Sequence, residues 1–138
     1  MKDKIFIDSN VLIYLASEQD LKKKSIVTGL MDKHFTKIVI STQVLGELFT
    51  VLKRKTNLSS EEISQITIKY SDEFFVENIE RQNFIKAIDL HLKYQFSYYD
   101  SLIIASALIA NCKELYSEDM SHNQLIDKKL TIINPFRN

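Results

Sequence analysis

Short, continuous apolar blocks alternate along this chain with longer segments in which apolar residues return every three or four positions. Ile5-Phe6-Ile7 is the first block. Asp8-Ser9-Asn10, side chains of the helix-capping kind, follow at once, and then the apolar Val11-Leu12-Ile13-Tyr14-Leu15. This reads as buried strand, tight turn, helix. Residues 21–33 predict a second, more polar helix, and Ile38-Val39-Ile40 a β-branched strand ending at Ser41-Thr42. A helix then runs to about Lys55. Ser59 with Glu62 three positions on is a capping box opening a helix that carries Ile63, Ile66 and Tyr70, and residues 74–76 predict a third strand. Residues 80–93 are helical again. Residues 98–111 are apolar on nearly every side, as in a central buried helix, with Ser97 as its cap. Residues 114–117 and 130–133 supply two last strands.

Strands alternating with helices build βαβ units, so the expected class is α/β: a parallel-rich central sheet of four to five short strands covered by helices on both faces. With 138 residues and 45% hydrophobic composition, residues 1–138 are expected to form one domain. Two Gly and one Pro leave little room for long loops or linkers. Lys2 and Lys4 ahead of an apolar run resemble the start of a signal peptide, but Asp8 and Asn10 interrupt the run. No apolar stretch approaches a membrane span. The single cysteine, Cys112, cannot pair internally, which fits a reducing cytoplasm. Eighteen basic residues balance eighteen acidic ones, so no global field drives the molecule onto a polyanion and local patches must do so.

The chemistry lies in where the acids fall. Ligands of parallel sheets sit beyond the carboxyl ends of the strands, and Asp8 and Asp119 both follow strand ends. Asp100 heads a helical stripe of Ile103, Ile104, Ala107 and Leu108. Glu47 shares a helix face with Val44, Leu48 and Val51, so its carboxylate points toward the core side. Singly, each Asp reads as a helix cap and Glu47 as a side chain snorkelling to solvent. Jointly, they form a candidate cluster. Carboxylates 4 Å apart repel by about 4 kcal/mol at an effective dielectric near 20, which protonation or a divalent cation offsets. Oxygen-only donors select hard ions such as Mg²⁺ or Mn²⁺, and such ions activate water and stabilise a phosphodiester's leaving oxygen.

The same residues resemble the PIN domain family, in particular the VapC-type toxins of bacterial toxin–antitoxin pairs. Ile5-Phe6-Ile7-Asp8-Ser9-Asn10-Val11-Leu12-Ile13 is similar to that family's opening motif, and residues 41–47 to its second, a helix bearing a glutamate. Tyr99-Asp100-Ser101-Leu102-Ile103-Ile104-Ala105-Ser106-Ala107 resembles its Asp-hydrophobic-Ile-Ala helix, Leu115-Tyr116-Ser117-Glu118-Asp119 its final motif, and Ile132-Ile133-Asn134-Pro135-Phe136 its tail. The resemblance implies a dimeric, cytoplasmic endoribonuclease using Mg²⁺ or Mn²⁺, with RNA as substrate and a cognate antitoxin holding it inactive. Asp8, Glu47, Asp100 and Asp119 carry over as metal-binding catalytic acids. Asp8 and Asp119 would hold the ion, Glu47 and Asp100 would complete its shell or orient water, and Ser9, Asn10 and Ser117 would orient these groups. A further acid near the last motif would be Glu118, which points away from Asp119 if the strand continues.

Other features read more plainly. Tyr98 and Tyr99 read as packing, with base stacking as the lesser alternative. Lys53-Arg54-Lys55 offset a helix dipole, with RNA or antitoxin contact the alternative. Lys22-Lys23-Lys24 read as a solvated face. A dimer surface could use residues 44–52 or 63–70. His34, His91 and His122 are scattered, which argues against a histidine-based nuclease. A phosphatase of the haloacid-dehalogenase kind wants Asp-x-Asp where Asn10 stands, and a receiver wants a late lysine. The remaining rival is a catalytically silent PIN-like module binding RNA or protein, and silent members usually lose acids that this chain retains.

Overall fold

The structure is a computed structural model and describes residues 3–137. Lys2 and the outermost ends of the expected 1–138 domain therefore lie outside the described residues. The first three strands are each followed by a pair of helices and the last three strands are consecutive: β1 Ile5–Ile7, α1 Ser9–Ala16, α2 Leu21–Lys33, β2 Ile38–Ser41, α3 Thr42–Lys55, α4 Ser60–Glu73, β3 Phe75–Glu77, α5 Arg81–Tyr94, α6 Tyr98–Ile109, β4 Glu114–Tyr116, β5 Leu125–Ile126 and β6 Leu130–Ile133. They form one sheet in the order β3-β2-β1-β4-β6-β5, flanked by the helices. Every pairing from β3 to β6 is parallel, and β5 adds antiparallel to β6.

The α/β expectation holds, with six strands where four to five were expected. The additional one, β5, is two residues long and joined to β6 by a hairpin whose central residues Asp127 and Lys128 have φ of 49° and 58°. Lys129 N–H donates to the Ile126 carbonyl at 2.9 Å to close the turn. Two positive φ angles are the type I′ geometry that glycine and asparagine favour. Here an Asp-Lys pair adopts it because α5 holds it. The Asp127 carboxylate accepts from Lys86 and Lys93, each at 2.8 Å, and from Tyr94 at 3.1 Å, while its own N–H donates to the Tyr94 hydroxyl at 2.9 Å. Those donors hold the carboxyl well below the usual carboxylate range.

The two central strands β1 and β2 are viable at three and four residues because they are wholly interior. Ile5, Phe6, Ile7, Ile38, Val39 and Ile40 are all buried, as parallel strands covered on both faces should be. α3 contributes Val44, Leu48 and Leu52 to the same core, and α4 covers it with Ile63 and Tyr70. Of the segments offered as dimer surfaces, Val44, Leu48, Leu52, Ile63 and Tyr70 are buried where α4 packs against α3, while Ile68 on α4 stays exposed. Exposed apolar residues gather instead on α5, as Phe84, Ile85, Ile88 and Leu92. Leu48→Ala is expected to lower unfolding stability by about 2–5 kcal/mol, read from urea midpoints, because Leu48 is fully buried in the core.

The topology also fixes where chemistry can occur. From β1 the chain winds outward through β2 to β3, and the later strands lie on the other side of β1, so the order reverses between β1 and β4. The carboxyl ends of these two strands flank the crevice at that reversal.

Candidate functional site

Asp8 leaves β1 and caps α1 within one residue. Its Oδ1 accepts from the Ser9 N–H at 2.7 Å, so the cap reading is correct as far as it goes. The carboxylate's other oxygen does something a cap does not need: Oδ2 accepts from the Ser117 hydroxyl at 2.9 Å, across the β1–β4 seam. Only 4% of Asp8 is exposed. Burial, opposed in part by Ser117 and reinforced by the Glu47 and then Asp100 charges, pushes its carboxyl up to about 7.

The second acid arrives on α3. Ser9 Oγ donates to Glu47 Oε1 at 2.9 Å, bridging the two helices that follow β1 and β2. Gln43, one turn earlier on the same face, donates through Nε2 to Glu47 Oε2 at 3.1 Å and to the Tyr99 carbonyl at 3.2 Å. Gln43 thereby ties α3 to the start of α6. Sequence reasoning missed it, although its spacing of four from Glu47 was the available signal.

Asp100 sits in the first turn of α6, which Ser97 caps by accepting the Asp100 N–H at 3.2 Å. Burial, opposed by Ser97 and aided by the Asp119 charge, raises its carboxyl above the ordinary value. Asp119 follows β4 and is steadied by Asn10, whose Nδ2 reaches Asp119 Oδ2 at 3.3 Å and Ser117 Oγ at 3.2 Å. The Asn10 carbonyl oxygen accepts the Glu118 N–H at 3.0 Å, so one amide holds the whole segment after β4.

All seven residues picked from sequence therefore meet at one crevice, and Asp8, Ser9, Asn10, Glu47, Asp100 and Asp119 line a cleft of about 760 Å³. Glu118 lines it too, but its carboxylate is engaged elsewhere. β4 ends at Tyr116, and Glu118 accepts from the Tyr14 hydroxyl at 2.8 Å and pairs with Lys23. Lys23 is thus not part of a solvated face. Neither is Lys24, which donates to the Leu15 carbonyl at 2.8 Å in the last turn of α1; of the three lysines only Lys22 is exposed. Tyr98 and Tyr99 pack edge to face at 5.1 Å and lie outside the cleft lining.

The donor set suits a hard, hydrated cation. Among the described residues, no three acids, cysteines or histidines stand close enough to ligate one ion directly. Mg²⁺ characteristically keeps several waters and takes one or two carboxylates, so a set of acids spaced round a wet cleft matches it better than zinc. Gln43 Oε1 is buried with no hydrogen-bond partner, an acceptor left for a donor such as bound water.

Residues 5–126 match the PIN domain family. No curated protein matches the sequence significantly. Among solved structures, a toxin–antitoxin complex from Klebsiella pneumoniae is similar with a TM-score of 0.74 at 18% identity, covering 98% of this chain and 100% of that one. VapC20 of Mycobacterium tuberculosis, a sarcin–ricin loop cleaving toxin, has a TM-score of 0.68 at 19% identity, covering 81% and 87%. DNA-bound VapBC from Salmonella typhimurium has a TM-score of 0.72 at 15% identity, covering 94% and 96%. At such identities the likeness is one of fold.

Proposed function

The chain belongs to the PIN domain family, and from that premise we propose that it is a metal-dependent endoribonuclease acting as one domain over residues 1–138, the toxin of a toxin–antitoxin pair. The observation that carries this reading is Asp8. A carboxyl group buried beside two further acids, with its pKa driven up to about 7, is costly to the fold and is relieved by a divalent cation. Capping α1 alone needs no such burial.

Asp8 and Asp119 are the residues that would hold Mg²⁺ or Mn²⁺, and such an ion would ease deprotonation of an attacking water and supply a counter-charge for the leaving oxygen. Glu47, its two oxygens held by Ser9 and Gln43, would complete the ion's shell or orient the attacking water. Asp100 faces the same cleft from α6 and shares that task. Ser117 and Asn10 act through Asp8 and Asp119, holding their carboxylates in register across the β1–β4 seam.

Partners follow from the relatives. The similar complexes pair a toxin with an antitoxin, which supports a cognate antitoxin for this chain as well. The exposed apolar row on α5 suits burial against a second copy in a homodimer. No described helix is long and apolar enough to cross a membrane, and the unpaired Cys112 fits the cytoplasm.

The test is incubation of total cellular RNA with the purified, partner-free protein and Mg²⁺ or Mn²⁺. Discrete fragments that vanish when EDTA removes the metal are expected. RNA left intact with both ions would overturn the nuclease assignment and move the weight to a silent binding module.

A further inference from the structure

The cleft continues well past the acids. One face of α3 forms its wall in successive turns: Gln43, then Gly46 and Glu47, then Thr50 and Val51, then Arg54 and Lys55 all line it. Spacings of three and four put these on a single stripe, so the wall runs from carboxylates at one end to cations at the other, with Glu47 and Arg54 about 10 Å apart along the axis at 1.5 Å per residue. We propose that this wall is the track for the RNA strand, with Arg54 and Lys55 forming a phosphate-binding subsite for a nucleotide flanking the scissile bond. The proposal deepens the ribonuclease reading and rests on it for the identity of the acidic end.

Three observations bear on it. A balanced chain offers a polyanion no general attraction, and the acidic end repels phosphates other than the one neutralised by the ion, so the flanking phosphates need a local counter-charge. Arg54 and Lys55 supply it. Both are exposed, and neither takes part in an ion pair among the described residues. Lys53, in the same helical turn, is not in the cleft lining and instead donates to Ser60 Oγ at 2.8 Å. A helix dipole is indifferent to which way its terminal cations face, so their division between cleft and exterior is not explained by it.

Gly46 is the third. A glycine in a helix interior weakens the helix relative to alanine. Its φ is not positive, and an added Cβ would meet nothing within 4 Å, so neither backbone nor packing requires it. What its missing side chain does is keep the wall open beside Glu47, where a strand entering the acidic end must pass. Gln19 closes the far end by donating through Nε2 to the Lys55 carbonyl, which fixes the loop between α1 and α2 against the end of α3.

The readout is binding, not turnover. A fluorescein-labelled oligouridylate of about twelve nucleotides is titrated in Ca²⁺ buffer over a range of KCl concentrations. The double variant Arg54→Gln/Lys55→Gln is expected to bind about tenfold more weakly near 0.1 M salt, with the slope of log affinity against log salt shallower by about 1.4, or 0.7 for each lost phosphate contact. Lys53→Gln should leave the slope unchanged. Gly46→Leu should weaken binding while melting no lower than the parent, since leucine is the better helix former. An unchanged slope in the double variant, an equal change in Lys53→Gln, or equal competition by polyglutamate would each overturn the proposal. A protein that shows the expected slopes yet cuts no RNA keeps the track and loses the nuclease; one whose double variant cuts with unchanged KM keeps the nuclease and loses the track.

Discussion

Asp8→Asn is expected to abolish RNA cleavage, by a thousandfold or more, while making the metal-free protein more stable at pH 8. The two effects have one origin. The carboxyl group, pushed up to about 7 chiefly by burial, is charged at pH 8 in an environment that disfavours charge. Its ordinary value is near 3.8, so between roughly pH 4 and 7 the folded state holds a proton that the unfolded chain has released. Stability is therefore greatest below pH 4 as far as this group is concerned, and declines as pH rises through that window. The full penalty at pH 8 reaches about 4 kcal/mol, from 1.4 kcal/mol for each unit of displacement. Asparagine is neutral at every pH, and its amide still offers an oxygen to the Ser9 N–H and an N–H to Ser117 Oγ. Thermal melts of variant and parent at pH 5 and pH 8 check the sign: the variant should gain on the parent at the higher pH. The catalytic loss follows from removing an anionic ligand whose ion contributes several kcal/mol of transition-state stabilisation. A folded Asp8→Asn protein with full activity would remove Asp8 from the centre, and Asp100→Asn should behave alike in cleavage.

Saturating Mn²⁺ or Mg²⁺ should raise the melting temperature of the parent protein. An ion at a hundred times its dissociation constant contributes about 2.7 kcal/mol, which for a chain of this size corresponds to roughly 8 °C. The shift should shrink as pH falls below about 7, because a proton on Asp8 competes with the ion, and it should be absent in Asp8→Asn. A shift of equal size in parent and variant would place the bound ion elsewhere.

Much of the fold and of the acidic cluster is legible in the sequence. The strand–turn–helix at residues 5–15 announces itself because three apolar residues are followed by three capping side chains, and the Ser59–Glu62 capping box forms as written. The acids were visible as anomalies on apolar faces. What sequence could not reveal were contacts between distant segments that break local rules. Lys23 looks like one of three solvated lysines until α1 and the segment after β4 bring Tyr14 and Glu118 to it. The β5–β6 hairpin carries no glycine, and its positive φ angles are held from α5, more than thirty residues away. The apolar stripe of α3 looks like a free surface in the sequence because nothing local says that α4 folds back over it.

One consequence of the β1–β4 seam concerns timing. Asp8 is the first of the acids to be synthesised, but its partner Ser117 is held in turn by β6: the Ser117 N–H donates to the Ile133 carbonyl at 2.9 Å, and β4 lies between β1 and β6 in the sheet. The acidic cluster is therefore framed by segments from both ends of the described chain. The frame around the proposed metal site is thus completed only by the last strand of the sheet to be synthesised, so that site forms after β6 has paired.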